Sequence, residues 1–151
     1  MKQVAVAVVV ASGAWLAEES ADSIGPISRL ATMILLPLAV AIIARRRPAL
    51  AIILALLTLG AAQGGRLCFQ HAYNSCVGNA GSIKSSLDGY RRANGRYPAT
   101  LTEAMPQPPC KRCLRGTILR YSSDGSRYVL SFSDSIVSWE TTDQTAWSVG
   151  K

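Results

Sequence analysis

The sequence predicts an α+β protein: N-terminal transmembrane helices, then a long amphipathic helix packed on a three- to four-stranded antiparallel β-meander. Three observations predict it. Charged and aromatic residues are divided unevenly at Gly65, apolar residues recur every three or four positions from Phe69 to Tyr90, and from Thr117 the period shortens to two around an Asp-Gly turn. The chain has 151 residues, 49% apolar, 7% aromatic and 17% charged, with a net charge of +7. That apolar share excludes an intrinsically disordered chain, and twelve glycines without a period exclude a collagen-like one. The length argues against a large metabolic enzyme. Residues 1–65 contain a single aromatic, Trp15, whereas the other aromatics and all four cysteines follow. Two solvents account for the split: lipid for residues 1–65, and water for an exported domain spanning 66–151.

Three uncharged apolar runs, Val4–Ala17, Leu30–Ala44 and Ala49–Ala62, predict helices at about 3–17, 28–44 and 48–64. Each is shorter than the roughly 18 residues of a secure span. Arg29 must snorkel if the second is to cross, and Pro37 kinks it. The block Arg45-Arg46-Arg47-Pro48 belongs in a surface turn, because each arginine at the bilayer centre costs about 3 kcal/mol. Basic residues mark the cytoplasmic side, here Lys2 and the arginine turn, whereas Glu18, Glu19 and Asp22 fall in the opposite loop. The expected placement is a bacterial inner membrane, N-terminus cytoplasmic, with everything after Gly65 in the periplasm. Cleavage of residues 1–14 as a signal peptide, at Ser12-Gly13-Ala14, is an alternative that leaves this orientation unchanged.

In the exported part, Phe69, Tyr73, Cys76/Val77, Ala80, Ile83, Leu87 and Tyr90 form one helical face. Asn94-Gly95 ends the helix and Pro98 prevents its restart. Ala99–Met105 reads as a helical turn with Thr100 capping toward Glu103, followed by the stiff loop Pro106–Pro109. Ile118, Arg120 and Ser122 alternate with Thr117, Leu119 and Tyr121, and Asp124-Gly125 turns the chain into Tyr128, Leu130 and Phe132 on one face. A turn at Asp134-Ser135 leads to a strand at Ile136–Thr141 with Val137 and Trp139 on one face, and Ala146–Val149 adds a short edge strand.

The stretch LDGYRRANGRYPATLTEAM, Leu87–Met105, resembles the segment that follows the long helix in type II secretion pseudopilins and type IV pilins. Its shared elements are Tyr90, the turn Asn94, Gly95, Tyr97 and Pro98, and the Leu-containing turn after them. The segment YSSDGSRYVLSFSD, Tyr121–Asp134, is similar to that family's helix-covering hairpin. The resemblance implies a hydrophobic helix running into a helix packed on a β-meander, and a role as an accessory to secretion or pilus assembly. The family's Gly-Phe cleavage point and the Glu five residues into its apolar helix have no counterpart here, so a pilin-like domain is implied rather than a filament subunit. No calcium site is carried over to Asp124 or Asp134.

Cys68, Cys76, Cys110 and Cys113 all lie in the exported part, where oxidation to disulfides is favoured over a zinc site or a Cys-x-x-Cys oxidoreductase. Of three pairings, Cys110–Cys113 with Cys68–Cys76 is the one expected. In a continuous helix eight residues rise about 12 Å, too far for a disulfide, so that pairing requires the helix to start near Asn74-Ser75. His71 has no evident catalytic partner, and no phosphate loop, carboxylate pair or nucleophile motif is present, so no enzyme, metal or cofactor is expected. The expected partners are the lipid bilayer and a protein of the cell envelope. Neither nucleic acid nor a small-molecule substrate is expected. Arg91, Arg92, Arg96, Lys111, Arg112 and Arg115 form a candidate contact patch. An alternative function is a ligand- or partner-sensing module that uses this basic surface and is unrelated to filaments.

Overall fold

A helix that runs from an aliphatic segment into one rich in aromatic and charged residues must change which residues cover its apolar face, and the computed structural model of this chain shows such a helix. It describes residues 2–19, 30, 34, 48–134 and 136–150. The chain divides into two units, Met1–Phe69 and Gln70–Lys151. The first contains helix α1, Lys2–Glu19, and the beginning of helix α2, Pro48–Asn94. Apart from Leu30 and Ile34, both helical and exposed, the expected second span at 28–44 lies outside the described residues, as do Arg45, Arg46 and Arg47.

In this unit a Cβ on Gly64 would collide with the Trp15 ring, and one on Gly65 with the Trp15 carbonyl oxygen. The two glycines let α1 and α2 approach closely at Trp15. Ala14, Ala51, Leu54 and Thr58 are buried, and Thr58 donates its hydroxyl to the Leu54 carbonyl at 2.8 Å. Ile52, Ile53, Leu56, Leu57 and Leu59 face outward. Among the described residues, α2 is the helix long and apolar enough to cross a membrane.

The second unit is α+β. Within it, α2 buries Ala72, Cys76, Ile83 and Leu87 at helical spacing, while Val77 is exposed. The helix ends where expected. Gly95 takes φ +73°, its N–H donates to the Arg91 carbonyl at 2.8 Å, and Asn94 Nδ2 donates to the Tyr90 carbonyl at 2.9 Å. The short helix α3, Leu101–Ala104, follows Thr100, whose N–H donates to Glu103 Oε1 at 3.2 Å.

Four antiparallel strands lie in sequence order: β1 Arg120–Ser123, β2 Tyr128–Ser133, β3 Ser138–Thr142 and β4 Ser148–Gly150. Tyr121 stands opposite Leu130, Phe132 opposite Trp139, and Trp139 opposite Val149. Tyr128, Leu130 and Phe132 are buried while Val129 is exposed, the alternation that the sequence predicts. Contacts run along α2: the Phe132 ring meets Tyr73 edge-on at 5.5 Å, and Trp139 Nε1 donates to the Tyr73 hydroxyl at 2.8 Å. Trp147 Nε1 donates to the Ala80 carbonyl at 3.2 Å, and Lys84 Nζ to the Thr142 and Thr145 carbonyls at 3.1 and 2.6 Å.

Three expectations are corrected. First, β1 begins at Arg120 rather than Thr117, because Ile118 and Leu119 are both buried, which alternation forbids. The segment before it closes on itself through an isolated Lys111–Thr117 bridge and an Ile118 N–H bond to the Cys110 carbonyl at 3.0 Å. Second, Ile136 is not in β3 but in the preceding turn, where the Asp134 carboxylate accepts from the N–H groups of Ile136 and Val137. Third, Cys76 pairs with Cys110, with Cα atoms 4.9 Å apart. The pairing expected from sequence needed α2 to begin near Asn74-Ser75; it is continuous there, so Cys68 and Cys76 stay a full two turns apart. Cys68 and Cys113 are disulfide-bonded as well, and no cysteine is free.

Peptide mapping without reductant, cutting after Tyr73 and after Lys111 or Arg112, should recover a Cys76 peptide linked to one ending with Cys110 and its neighbour. A Cys110–Cys113 link would contradict this pairing.

Candidate functional site at the helix end

The end of α2 is where the sequence segments singled out above converge. Tyr97 is buried; its N–H donates to the Gly125 carbonyl at 2.8 Å, tying the turn after α2 to the β1–β2 turn. Its ring lies edge-on to Tyr128 at 4.8 Å, and the Tyr121 hydroxyl donates to the Pro98 carbonyl at 2.8 Å. Gly125 supplies the left-handed backbone, φ +87°, that the turn requires. Asp124 holds that turn from the other side, accepting from Ser126 N–H and Oγ at 2.8 Å and from Arg127 N–H at 2.7 Å. Those bonds, the Arg127 N–H first, hold its carboxyl below the usual range.

Nearby, the Tyr90 hydroxyl donates to Glu103 Oε2 at 3.1 Å, and this bond to a carboxylate raises the phenol. Desolvation raises the Glu103 carboxyl, but hydrogen bonds from Thr100 and Tyr90 outweigh it and leave the group below the usual range. The Tyr128 hydroxyl is buried without a hydrogen-bond partner among the described residues. Desolvation, reinforced by the charge of Asp88, pushes it above the ordinary phenol range.

A cleft of about 460 Å³ opens beside this knot, lined by Asp88, Arg91, Arg92, Gly95, Tyr97 and Asp143. One Arg91 Nη donates to the Tyr97 hydroxyl at 3.1 Å, and the guanidinium carbon lies 4.9 Å from the ring centre. The Tyr97 hydroxyl in turn reaches Asp88 Oδ1 at 3.5 Å. Two carboxylates and two guanidiniums at one mouth suit a ligand or partner segment carrying both signs of charge. Spacing in the sequence gave no hint of Asp143, which arrives from the β3–β4 turn.

The six candidate basic residues do not form one patch. Arg91 and Arg92 lie at the cleft, with Arg96 exposed in the turn after it. Lys111, Arg112 and Arg115 belong to the loop pinned to Cys76, and Cys76 and Arg91 are fifteen residues, about 22 Å, apart along α2. Arg112 turns inward, its Nε donating to the Gly116 carbonyl at 3.2 Å, while Lys111 and Arg115 are exposed. Among the described residues, no group of three or more His, Cys, Asp or Glu is placed to hold a metal ion.

Comparison of the chain with protein-family models, curated proteins and solved structures returned no match.

Tyr97→Ala should destabilise the second unit by about 3–5 kcal/mol, and Tyr97→Phe, which keeps the ring contacts, by about 1 kcal/mol. Denaturant unfolding of the full chain in detergent micelles checks both. Because the Asp124 carboxyl is lowered in the folded state, its contribution is present above the unfolded carboxylate range and disappears as pH falls through the folded value. Asp124→Asn should therefore preserve the turn at neutral pH yet flatten the acid dependence of the melting temperature, whereas Asp124→Ala should lower it at neutral pH.

Proposed function

We propose that the chain is a membrane-anchored structural and interaction protein of the bacterial inner membrane. Its second unit stands in the periplasm, resembles a pseudopilin domain and docks on a protein of the envelope, as an accessory to secretion or pilus assembly. The observation that carries this reading is the lock between the two pilin-like segments. Tyr97 of the first bonds Gly125 of the second, and Tyr121 of the second bonds Pro98 of the first. Segments resembling a family in isolation carry little weight; two that hold each other in place carry more. The apolar first part of α2 supports anchoring, and four oxidised cysteines suit an oxidising compartment.

The cleft favours a second reading, a module that senses a ligand or partner segment. Asp88, Asp143, Arg91 and Arg92 offer complementary charge to a molecule bearing both signs.

A reporter active only in the periplasm, fused after Lys151, should be active; activity only of a cytoplasmic reporter would overturn the orientation. Crosslinking the full chain in cells should then co-purify a secretion or pilus component. Recovery instead of a small molecule with the purified chain, lost in Arg92→Gln/Asp143→Asn, would establish the sensing module in its place.

A further inference from the structure

The end of the domain opposite the cleft carries the feature that neither reading uses. Strand β2 runs antiparallel to α2: Tyr128 meets Tyr97 just after the helix ends, and Phe132 meets Tyr73 near the residue at which α2 enters the unit. Past Phe132 the chain continues in that direction into the β2–β3 turn, where Ile136 is 82% exposed. The Cys110 loop sits at the same end, because Cys110 is bonded to Cys76, one turn beyond Tyr73. Its tip displays Leu114, 68% exposed, with Lys111 and Arg115 also exposed. Two large aliphatic side chains and two cations thus share one rim.

Both projections are braced. The Asp134 carboxylate accepts from the N–H groups of Ile136 and Val137 at 3.0 and 2.8 Å. The Cys110 loop is closed by the Lys111–Thr117 bridge, by the Arg112 Nε bond to Gly116, and by the Thr117 hydroxyl donating to the Pro109 carbonyl at 3.1 Å. Cys110, with φ +71°, holds a left-handed backbone at the base of this loop. Little conformational entropy remains to be lost when such tips enter an interface.

We propose that this rim docks on an anionic bilayer surface, with Leu114 and Ile136 entering the interfacial layer and Lys111 and Arg115 among the phosphates. The inference rests on the anchoring read for α2. It adds that the domain lies on the membrane through its own side chains instead of being held clear of it. Aliphatic tips flanked by cations match an interface that is apolar below and negatively charged above.

The test uses the full chain in lipid nanodiscs, either phosphatidylcholine alone or with phosphatidylglycerol added. Photoreactive benzoylphenylalanine replaces Leu114, Ile136 or, as a control in the β1–β2 turn at the other end, Ser126. Irradiation should give phospholipid adducts at the first two positions and none at the third, with higher yield in the anionic discs. Lys111→Gln should lower that yield by about fivefold in anionic discs and leave it unchanged in neutral ones. Failure of the chain to enter discs at all would overturn the anchoring reading. A chain that enters discs but gives no adduct at 114 or 136, or gives equal adducts at 126, would overturn the docking inference alone. Equal yields in the two lipid mixtures would overturn the assignment to anionic lipid.

Discussion

The burial of Tyr97 is the constraint on which the second unit depends. Its backbone joins the turn after α2 to the turn between β1 and β2, and its ring and hydroxyl join Tyr128, Arg91 and Asp88. Once these are fixed, β2 is aimed back along α2, and the period-two face Tyr128, Leu130 and Phe132 is brought toward Tyr73. The later strands follow by register: Trp139 opposite Phe132, with both Trp139 and Trp147 finding acceptors on α2. A meander whose every strand pairs with its neighbour in sequence needs only one such anchor to place it, since each further strand is set by the last.

The Cys76–Cys110 bond does a complementary job at the other end. Between α3 and β1 the chain runs through Pro106, Pro108 and Pro109, which cannot donate to a ladder, and then through a loop with a single isolated bridge. Such a segment belongs to no helix or strand of the fold. A covalent tie to the buried face of α2 supplies what secondary structure does not, and a small domain with a modest core is where such ties matter most. Basic residues that look clustered in a composition count are accordingly separated into a cleft at one end and a braced loop at the other, which assigns them different chemistry.

Much of this was legible. Local signals, each read over a few residues, gave Cys76, Ile83 and Leu87 on the helix face, the helix stop at Asn94-Gly95, the Asp-Gly hairpin and the inward side of β2, though not the buried Ala72. What failed depended on distance. Alternation continued smoothly through Ile118 and Leu119, yet both are buried because the loop closes over them from Cys110. A strand beginning at Ile136, directly after Asp134-Ser135, does not form, because the Asp134 carboxylate captures the Ile136 N–H in a turn. Asp143 could not be joined to Asp88 by any spacing, because their approach is made by the sheet. Disulfide pairing turned on whether α2 is interrupted, a property of the whole helix rather than of either cysteine.

Gly64-Gly65 lies on the same helix, ahead of both Cys68 and Cys76. In water a glycine pair lowers helix propensity by roughly 1 kcal/mol per residue relative to alanine, so it reads as a place for a helix to weaken. In this chain the pair stays helical, and its missing side chains admit Trp15, whose ring and carbonyl occupy the space two Cβ atoms would take. Once α2 runs unbroken, Cys76 is carried two turns beyond Cys68 and becomes the partner of Cys110. One continuous helix thus both meets Trp15 at Gly64-Gly65 and presents Cys76 to Cys110.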